Sequence, residues 1–103
     1  MKSVDIGELA DFSQGAARAV RVADRELVVV RIEDDLYVLD DRCSHEAFWL
    51  SDGDVDVKSR EIECARHGAM FSLVTGEPLC LPATSPVARY DVTVRDGRVE
   101  VSL

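Results

Sequence analysis

Strict alternation of apolar and polar residues near the end of the chain is the feature that most constrains its fold. The stretch "YDVTVRD" at 90–96 alternates in this way, and "RVEVSL" at 98–103 repeats the pattern. A period of two turns every second side chain toward the same face of a strand. The dipeptide Asp96-Gly97 separates the stretches, and Asp-Gly is a strong signal for a two-residue hairpin turn. The pattern predicts an antiparallel hairpin with one buried face.

The first forty residues add strand patterns of the same kind. "ARAVRVADRELVVVRIEDDLYVLDD" predicts strands near 16–22, 26–32 and 36–40. The run from Leu27 to Val30 is apolar on both faces, so we expect that strand to lie centrally in its sheet. Only "GELADFSQGAA" hints at a helix, as one short turn. The pattern predicts an all-β fold, a small antiparallel sandwich or barrel.

Bulk properties exclude several classes of protein. The chain has 103 residues, which predicts a single domain, 1–103. Its formal net charge of −8 repels phosphate backbones, so we expect no nucleic-acid partner. No apolar run approaches the ~18 residues of a membrane span, and the start lacks the apolar region of a secretory signal. Three cysteines cannot all pair internally, which favours the cytoplasm and a metal-binding role for them.

The middle of the chain, from Asp41 to Pro86, loses the alternation and holds every cysteine and histidine. These residues include two mixed pairs, Cys43-x-His45 and Cys64-x-x-His67. Two loops that each carry one thiolate and one imidazole can close a four-ligand metal site if they face each other.

Two kinds of metal suit such a ligand set. Tetrahedral zinc takes two sulfurs and two imidazoles, although zinc motifs usually pair their cysteines as C-x-x-C ahead of paired histidines on a helix. A [2Fe-2S] cluster in which histidines replace two cysteines takes the same four ligands. Mixed pairs favour the cluster, because each loop can reach both irons. Cys43 and Cys64 would then bind one iron, and His45 and His67 the other.

Beyond the ligands, "CSHEAFWLSDG" at 43–53, "IECARHGAMFSLVTGE" at 62–77 and the terminal hairpin resemble the Rieske-type ferredoxins over nearly the whole chain. The resemblance implies an antiparallel base at about 1–40 and 85–103, with a cluster-binding insertion at about 41–84. It also implies one Rieske-type [2Fe-2S] cluster, with the two histidines at the surface as the electron exit.

The ferredoxin components of bacterial ring-hydroxylating dioxygenase systems are similar in these motifs. That similarity implies a soluble, monomeric one-electron carrier between a flavin-dependent ferredoxin reductase and a terminal oxygenase. The chain is not expected to be an enzyme, since a mononuclear oxygenase iron needs two further histidines and a carboxylate. Two alternatives stay open: a small Rieske subunit of nitrite reductase or of an iron–sulfur assembly system, and a structural zinc module for protein interaction.

Residues around the ligands carry further expectations. High-potential Rieske proteins have a serine and a tyrosine where this chain has Ala69 and Phe71, and a disulfide where it has Phe48 and Arg66. We therefore expect a potential near the low end of the Rieske range, around −150 mV. Cys80 is interpreted as a small buried residue and not a ligand. At least one of the neighbouring aromatic residues, Phe48 and Trp49, is expected to be exposed.

Overall fold

The computed structural model describes residues 3–22, 24–41, 49–63, 70–79 and 87–103. Within these ranges the chain forms short strands and two single turns of 3-10 helix, at Leu9–Asp11 and Leu50–Asp52. The strands are β1 (Ser3–Glu8), β2 (Ala17–Val22), β3 (Arg25–Ile32), β4 (Asp35–Asp40), β5 (Val55–Asp56), β6 (Glu61–Glu63), β7 (Met70–Ser72), β8 (Arg89–Tyr90), β9 (Val92–Arg95) and β10 (Arg98–Ser102).

The strands form three antiparallel sheets, with orders β1-β10-β9, β2-β3-β4-β8 and β5-β6-β7. The predicted all-β antiparallel class is confirmed. The three strands predicted in the first forty residues are β2, β3 and β4, each within one residue of its expected bounds. The short helical turn predicted in "GELADFSQGAA" is the one at Leu9–Asp11.

The β2-β3-β4-β8 sheet is central and packs on both faces. On one face, Leu27 and Val29 pack with Val99 and Val101 of β10 in one buried cluster. On the other face, Val28 and Val30 belong to a second buried cluster, together with Ile62, Phe71 and Leu73. The residues Leu27–Val30 are all apolar because both faces of β3 are covered, and each of them is at most 1% exposed. The predicted central position of β3, between β2 and β4, is confirmed.

The terminal hairpin forms with the predicted turn, but the prediction was wrong in two details: Tyr90 belongs to β8 of the central sheet, and Val94 on the expected buried face is 43% exposed. Asp96 and Gly97 have φ of 50° and 76°, the left-handed values that both central residues of a type I′ turn require. That turn twists in the same sense as its strands, so β9 and β10 stay paired from Arg95↔Arg98 to Val92↔Val101.

The third sheet has only two- and three-residue strands, and the sequence pattern did not predict them individually. Its strands come from 55–72, whereas those of the two larger sheets come from 3–40 and 89–102. The predicted boundaries between a base and an insertion stay a prediction. Within the described ranges, there is no helix with the length and apolarity that a bilayer crossing requires.

Candidate metal centre

Four donors were predicted from the sequence, and all lie outside the described residues: Cys43, His45, Cys64 and His67. Cys80, which was predicted not to be a ligand, lies outside them too. These residues fall in three segments, 42–48, 64–69 and 80–86, whose flanking residues are described. We call these the first, second and third donor segments, of which the third carries Cys80 and no predicted ligand. The described residues themselves contain no group of three or more His, Cys, Asp or Glu that could hold a metal ion. What the structure defines is therefore the frame from which the donor segments extend.

The second donor segment extends from a β-hairpin. Strands β6 and β7 pair antiparallel, and their last pair, Glu63↔Met70, joins the two residues that flank the segment. The preceding pair, Ile62↔Phe71, is fully buried. Cys64 follows β6 directly in the sequence, so the second donor segment begins one residue after a paired strand.

Hydrogen bonds to Asp41 join the residues at the two ends of the first donor segment. Asp41 follows β4 and precedes the segment, and Trp49 comes directly after it. The Leu50 N–H donates to the Asp41 carbonyl across a distance of 2.5 Å. The Asp41 carboxylate accepts two more hydrogen bonds, from the N–H of Ser51 at 2.6 Å and from its hydroxyl at 2.7 Å. The two carboxylate bonds hold Ser51 against Asp41, the residue that precedes the first donor segment.

Asp41 is only 2% exposed and is the one buried charged residue in the described part of the chain. Burial raises the pKa of its carboxyl above the usual 3.8, while the hydrogen bonds from Ser51 oppose that shift and nearby Asp52 and Glu26 add to it. Neither Asp41 nor Ser51 was predicted from the sequence to belong to the site. An aspartate one residue past a strand is normally an exposed turn residue, and no local pattern distinguishes a buried one.

The third donor segment is held by the turn that follows β7. At its start, the Leu79 N–H donates to the Met70 carbonyl at 2.7 Å. At its end, the Val87 N–H donates to the Gly76 carbonyl at 2.9 Å. Gly76 has φ of +80°, and a Cβ added there would lie 2.4 Å from the Val87 carbonyl oxygen. Only glycine fits this approach of two backbones.

At least one end of each donor segment lies beside the same core. Residues next to or near these ends belong to the buried cluster that also covers one face of β3: Leu50, Ile62, Phe71 and Val87. The two segments that carry one cysteine and one histidine each are therefore rooted in a single packed unit. Two thiolates and two imidazoles on such a frame suit a [2Fe-2S] cluster with mixed ligation.

Apolar side chains next to the donor segments remain accessible. Trp49 is 44% exposed at the end of the first segment, and Leu79 is 50% exposed at the start of the third. The prediction that at least one of Phe48 and Trp49 is exposed is confirmed by Trp49; Phe48 lies outside the described residues. Of the four positions used to predict a low potential, Phe71 is fully buried, and the other three lie outside the described residues: Phe48, Arg66 and Ala69.

The sequence matches a known protein family and several of its characterised members. The Rieske [2Fe-2S] domain family matches residues 2–91. The ferredoxin component of the naphthalene 1,2-dioxygenase system of Pseudomonas putida is 33% identical over 103 residues, covering 100% of this chain and 97% of the relative.

Solved structures give the same result. The ferredoxin of carbazole 1,9a-dioxygenase from Nocardioides aromaticivorans IC177 superimposes with a TM-score of 0.95 at 34% identity, covering 99% of this chain and 98% of that one. A ferredoxin in a complex of reduced oxygenase and oxidised ferredoxin of carbazole 1,9a-dioxygenase superimposes with a TM-score of 0.89 at 35% identity, covering 97% and 92%. The chain therefore belongs to the Rieske [2Fe-2S] domain family, and its cofactor is a Rieske-type [2Fe-2S] cluster.

Proposed function

We propose that this protein is the ferredoxin component of a ring-hydroxylating dioxygenase system. It carries single electrons from a flavin-dependent reductase to a terminal oxygenase and is not itself catalytic. The observation that carries the proposal is the match over the full chain to the naphthalene dioxygenase ferredoxin component. The solved complex of a similar ferredoxin with its oxygenase supports an oxygenase as the acceptor.

Four residues are proposed as the cluster ligands: Cys43 and Cys64 on one iron, and His45 and His67 on the other. They belong to the proposed insertion at 41–84, carried on a base formed by 1–40 and 85–103. When bound, the cluster takes up and releases one electron. The chain's own contribution is to hold the ligands on the paired β6–β7 hairpin and on the neck of the first donor segment, against one buried core. We use neck for the residues whose hydrogen bonds join the two ends of that segment: Asp41, Leu50 and Ser51.

The surface beside the donor segments suits docking of a partner. Trp49 and Leu79 are each about half exposed, and aromatic residues often anchor protein interfaces. The net charge of −8 favours a partner with a basic patch and speeds the encounter with it. We propose that the protein acts as a cytoplasmic monomer and that the oxygenase docks over His45 and His67 beside Trp49.

Cofactor content is the first test. The protein purified under anaerobic conditions is expected to be brown and to contain two irons and two sulfides per chain, as one Rieske cluster requires. Replacing His45 or His67 by alanine should abolish the Rieske spectrum. A colourless protein with stoichiometric zinc would establish the structural zinc module instead.

Electron transfer is the second test. With a flavin reductase and NADH, the cluster should be reduced, and addition of a ring-hydroxylating oxygenase should reoxidise it at a rate that increases with oxygenase concentration. Reoxidation by a nitrite reductase, with none by the oxygenase, would favour the nitrite reductase alternative. The His45→Ala variant serves as the inactive control in both assays.

A further inference from the structure

We propose that Asp41 is a positioning residue of the metal centre, whose buried carboxylate sets the neck of the first donor segment by binding the backbone N–H and the hydroxyl of Ser51. The inference rests on the proposed function, because it takes Cys43 and His45 as ligands. Asp41 and Ser51 bind no metal in this proposal, but they help to hold the ligands Cys43 and His45 in place.

The two ligand-bearing segments differ in how they are closed. The second is closed by strand pairing, Glu63↔Met70 followed by Ile62↔Phe71. At the first, the contacts among described residues include one backbone hydrogen bond across the ends, from Leu50 to Asp41. The carboxylate of Asp41 adds two bonds to Ser51, which fix the turn at Leu50–Asp52 against the end of β4.

Every polar atom of Asp41 has a partner. Its N–H donates to the Glu26 carbonyl at 2.9 Å, and its carbonyl accepts from Leu50. The two carboxylate oxygens accept from the two donors of Ser51. The residue thus joins β3, the end of β4 and the turn at Leu50–Asp52. Because an aspartate is costly to bury, a fully bonded aspartate at this place fits a requirement for fixed geometry better than a need for solubility.

The alternative is that Asp41 stabilises the whole fold with no specific effect on the centre. Three comparisons separate the two roles. Ser51→Ala removes one bond without changing charge, and Ser51→Thr keeps a hydroxyl in place. Asp52→Asn removes a carboxylate one residue from Ser51 that makes no bond to the neck in the described contacts. Val99→Ala weakens the other buried cluster, on the far face of the central sheet.

The experiment measures the holoprotein of each variant in two ways: the half-time of bleaching of the visible spectrum in excess iron chelator, and the EPR spectrum of the reduced cluster. We expect Asp41→Ala to shorten the half-time by about tenfold or more, as loss of charge-assisted bonds implies. Ser51→Ala should shorten it by about three- to tenfold. Both should shift or broaden the EPR signal. Ser51→Thr and Asp52→Asn should stay within about twofold of the wild type with unchanged signals.

The thermal midpoint of each variant is measured as well. The proposal is overturned if Val99→Ala lowers the midpoint as much as Ser51→Ala does and its cluster bleaches as fast. It is also overturned if the EPR signal of Ser51→Ala is unchanged. If Asp41→Ala does not fold, the pair Ser51→Ala and Ser51→Thr decides the question alone. A wild-type protein without iron and sulfide would contradict the proposed function. A wild type with its cluster, and variants that behave like Val99→Ala, would contradict only the role of Asp41.

Discussion

The backbone of Gly76 lies so close to Val87 that the carbonyl oxygen of Val87 would be 2.4 Å from any Cβ added at position 76. Gly76 also has φ of +80°, which disfavours every other residue. We predict that Gly76→Ala destabilises the protein by about 2–4 kcal/mol, from backbone strain and the clash together. The thermal midpoint, measured by circular dichroism, should fall accordingly.

Gly97 provides the matched control for that prediction. It has a similar φ of +76°, but a Cβ there meets no atom within 4 Å. Gly97→Ala should therefore cost only the strain, about 1 kcal/mol, or roughly 4–8 °C in the midpoint. Equal losses for the two variants would show that the approach to Val87 is not tight in solution.

The reduction potential is the second prediction. Without hydroxyls at positions 69 and 71, fewer hydrogen bonds can stabilise the added electron, so we expect a midpoint around −150 mV. The double variant Ala69→Ser, Phe71→Tyr should raise it, as measured by redox titration. Phe12→Tyr is the control, because it adds the same hydroxyl to the other buried cluster, where Phe12 is 2% exposed. A wild-type midpoint above about +100 mV contradicts the prediction.

Cys80 gives the third prediction. Since the proposed ligands Cys43, His45, Cys64 and His67 already complete a set of four, Cys80→Ala should keep the visible spectrum of the oxidised cluster and its iron content. Cys64→Ala is the matched control and should lose both. Loss of the spectrum in Cys80→Ala would mean that the proposed ligand set is wrong.

Trp49 gives the fourth prediction, on docking. Truncating an exposed aromatic anchor typically weakens an interface by more than about 1 kcal/mol, so Trp49→Ala should slow electron transfer to the oxygenase by about fivefold or more at limiting concentration. Stopped-flow reoxidation of the reduced protein measures this rate. Val94 is 43% exposed on β9, in the sheet on the other side of the central one, and Val94→Ala should leave the rate within about twofold. Equal effects would place the interface elsewhere.

Acid titration gives the fifth prediction. The guanidinium of Arg98 donates two hydrogen bonds of 2.9 Å to the Asp5 carboxylate, and the Gly7 N–H donates a third. These bonds hold the pKa of Asp5 below its usual 3.8. A lowered pKa means that the pair stabilises the fold above about pH 3.8 and that this contribution is lost as pH falls through the folded value. NMR titration of the Asp5 carboxyl should give a pKa below 3.8, and Arg98→Gln should bring it back toward 3.8.

The fold was predictable from the sequence where residues that pair are close along the chain. The alternation in β10, the turn at Asp96-Gly97 and the doubly apolar run at Leu27–Val30 each match the local environment of those residues. Strands β5, β6 and β7 were not predictable individually, because two or three residues are too few for a period to be recognised. Their pairing depends on packing against the central sheet.

In the candidate site too, the sequence predicted residues whose role shows in local sequence and missed those whose role depends on the fold. The donors stood out because two mixed pairs of cysteine and histidine together complete a four-ligand set. The Asp41–Ser51 contact did not, because its meaning depends on burial, which is a property of the folded chain. The same holds for Gly76, whose need for glycine comes from Val87, eleven positions away.

The arrangement of the central sheet has a consequence for how the protein acquires its cofactor. Strands β2, β3 and β4 follow one another with two-residue connections, and β5 and β6 are also neighbours in sequence. Such local pairings form quickly, since little chain entropy is lost in closing short loops. We expect these locally paired strands to form before any iron binds. Loading would then be insertion into an existing frame, unlike small zinc domains that stay unfolded until the metal arrives.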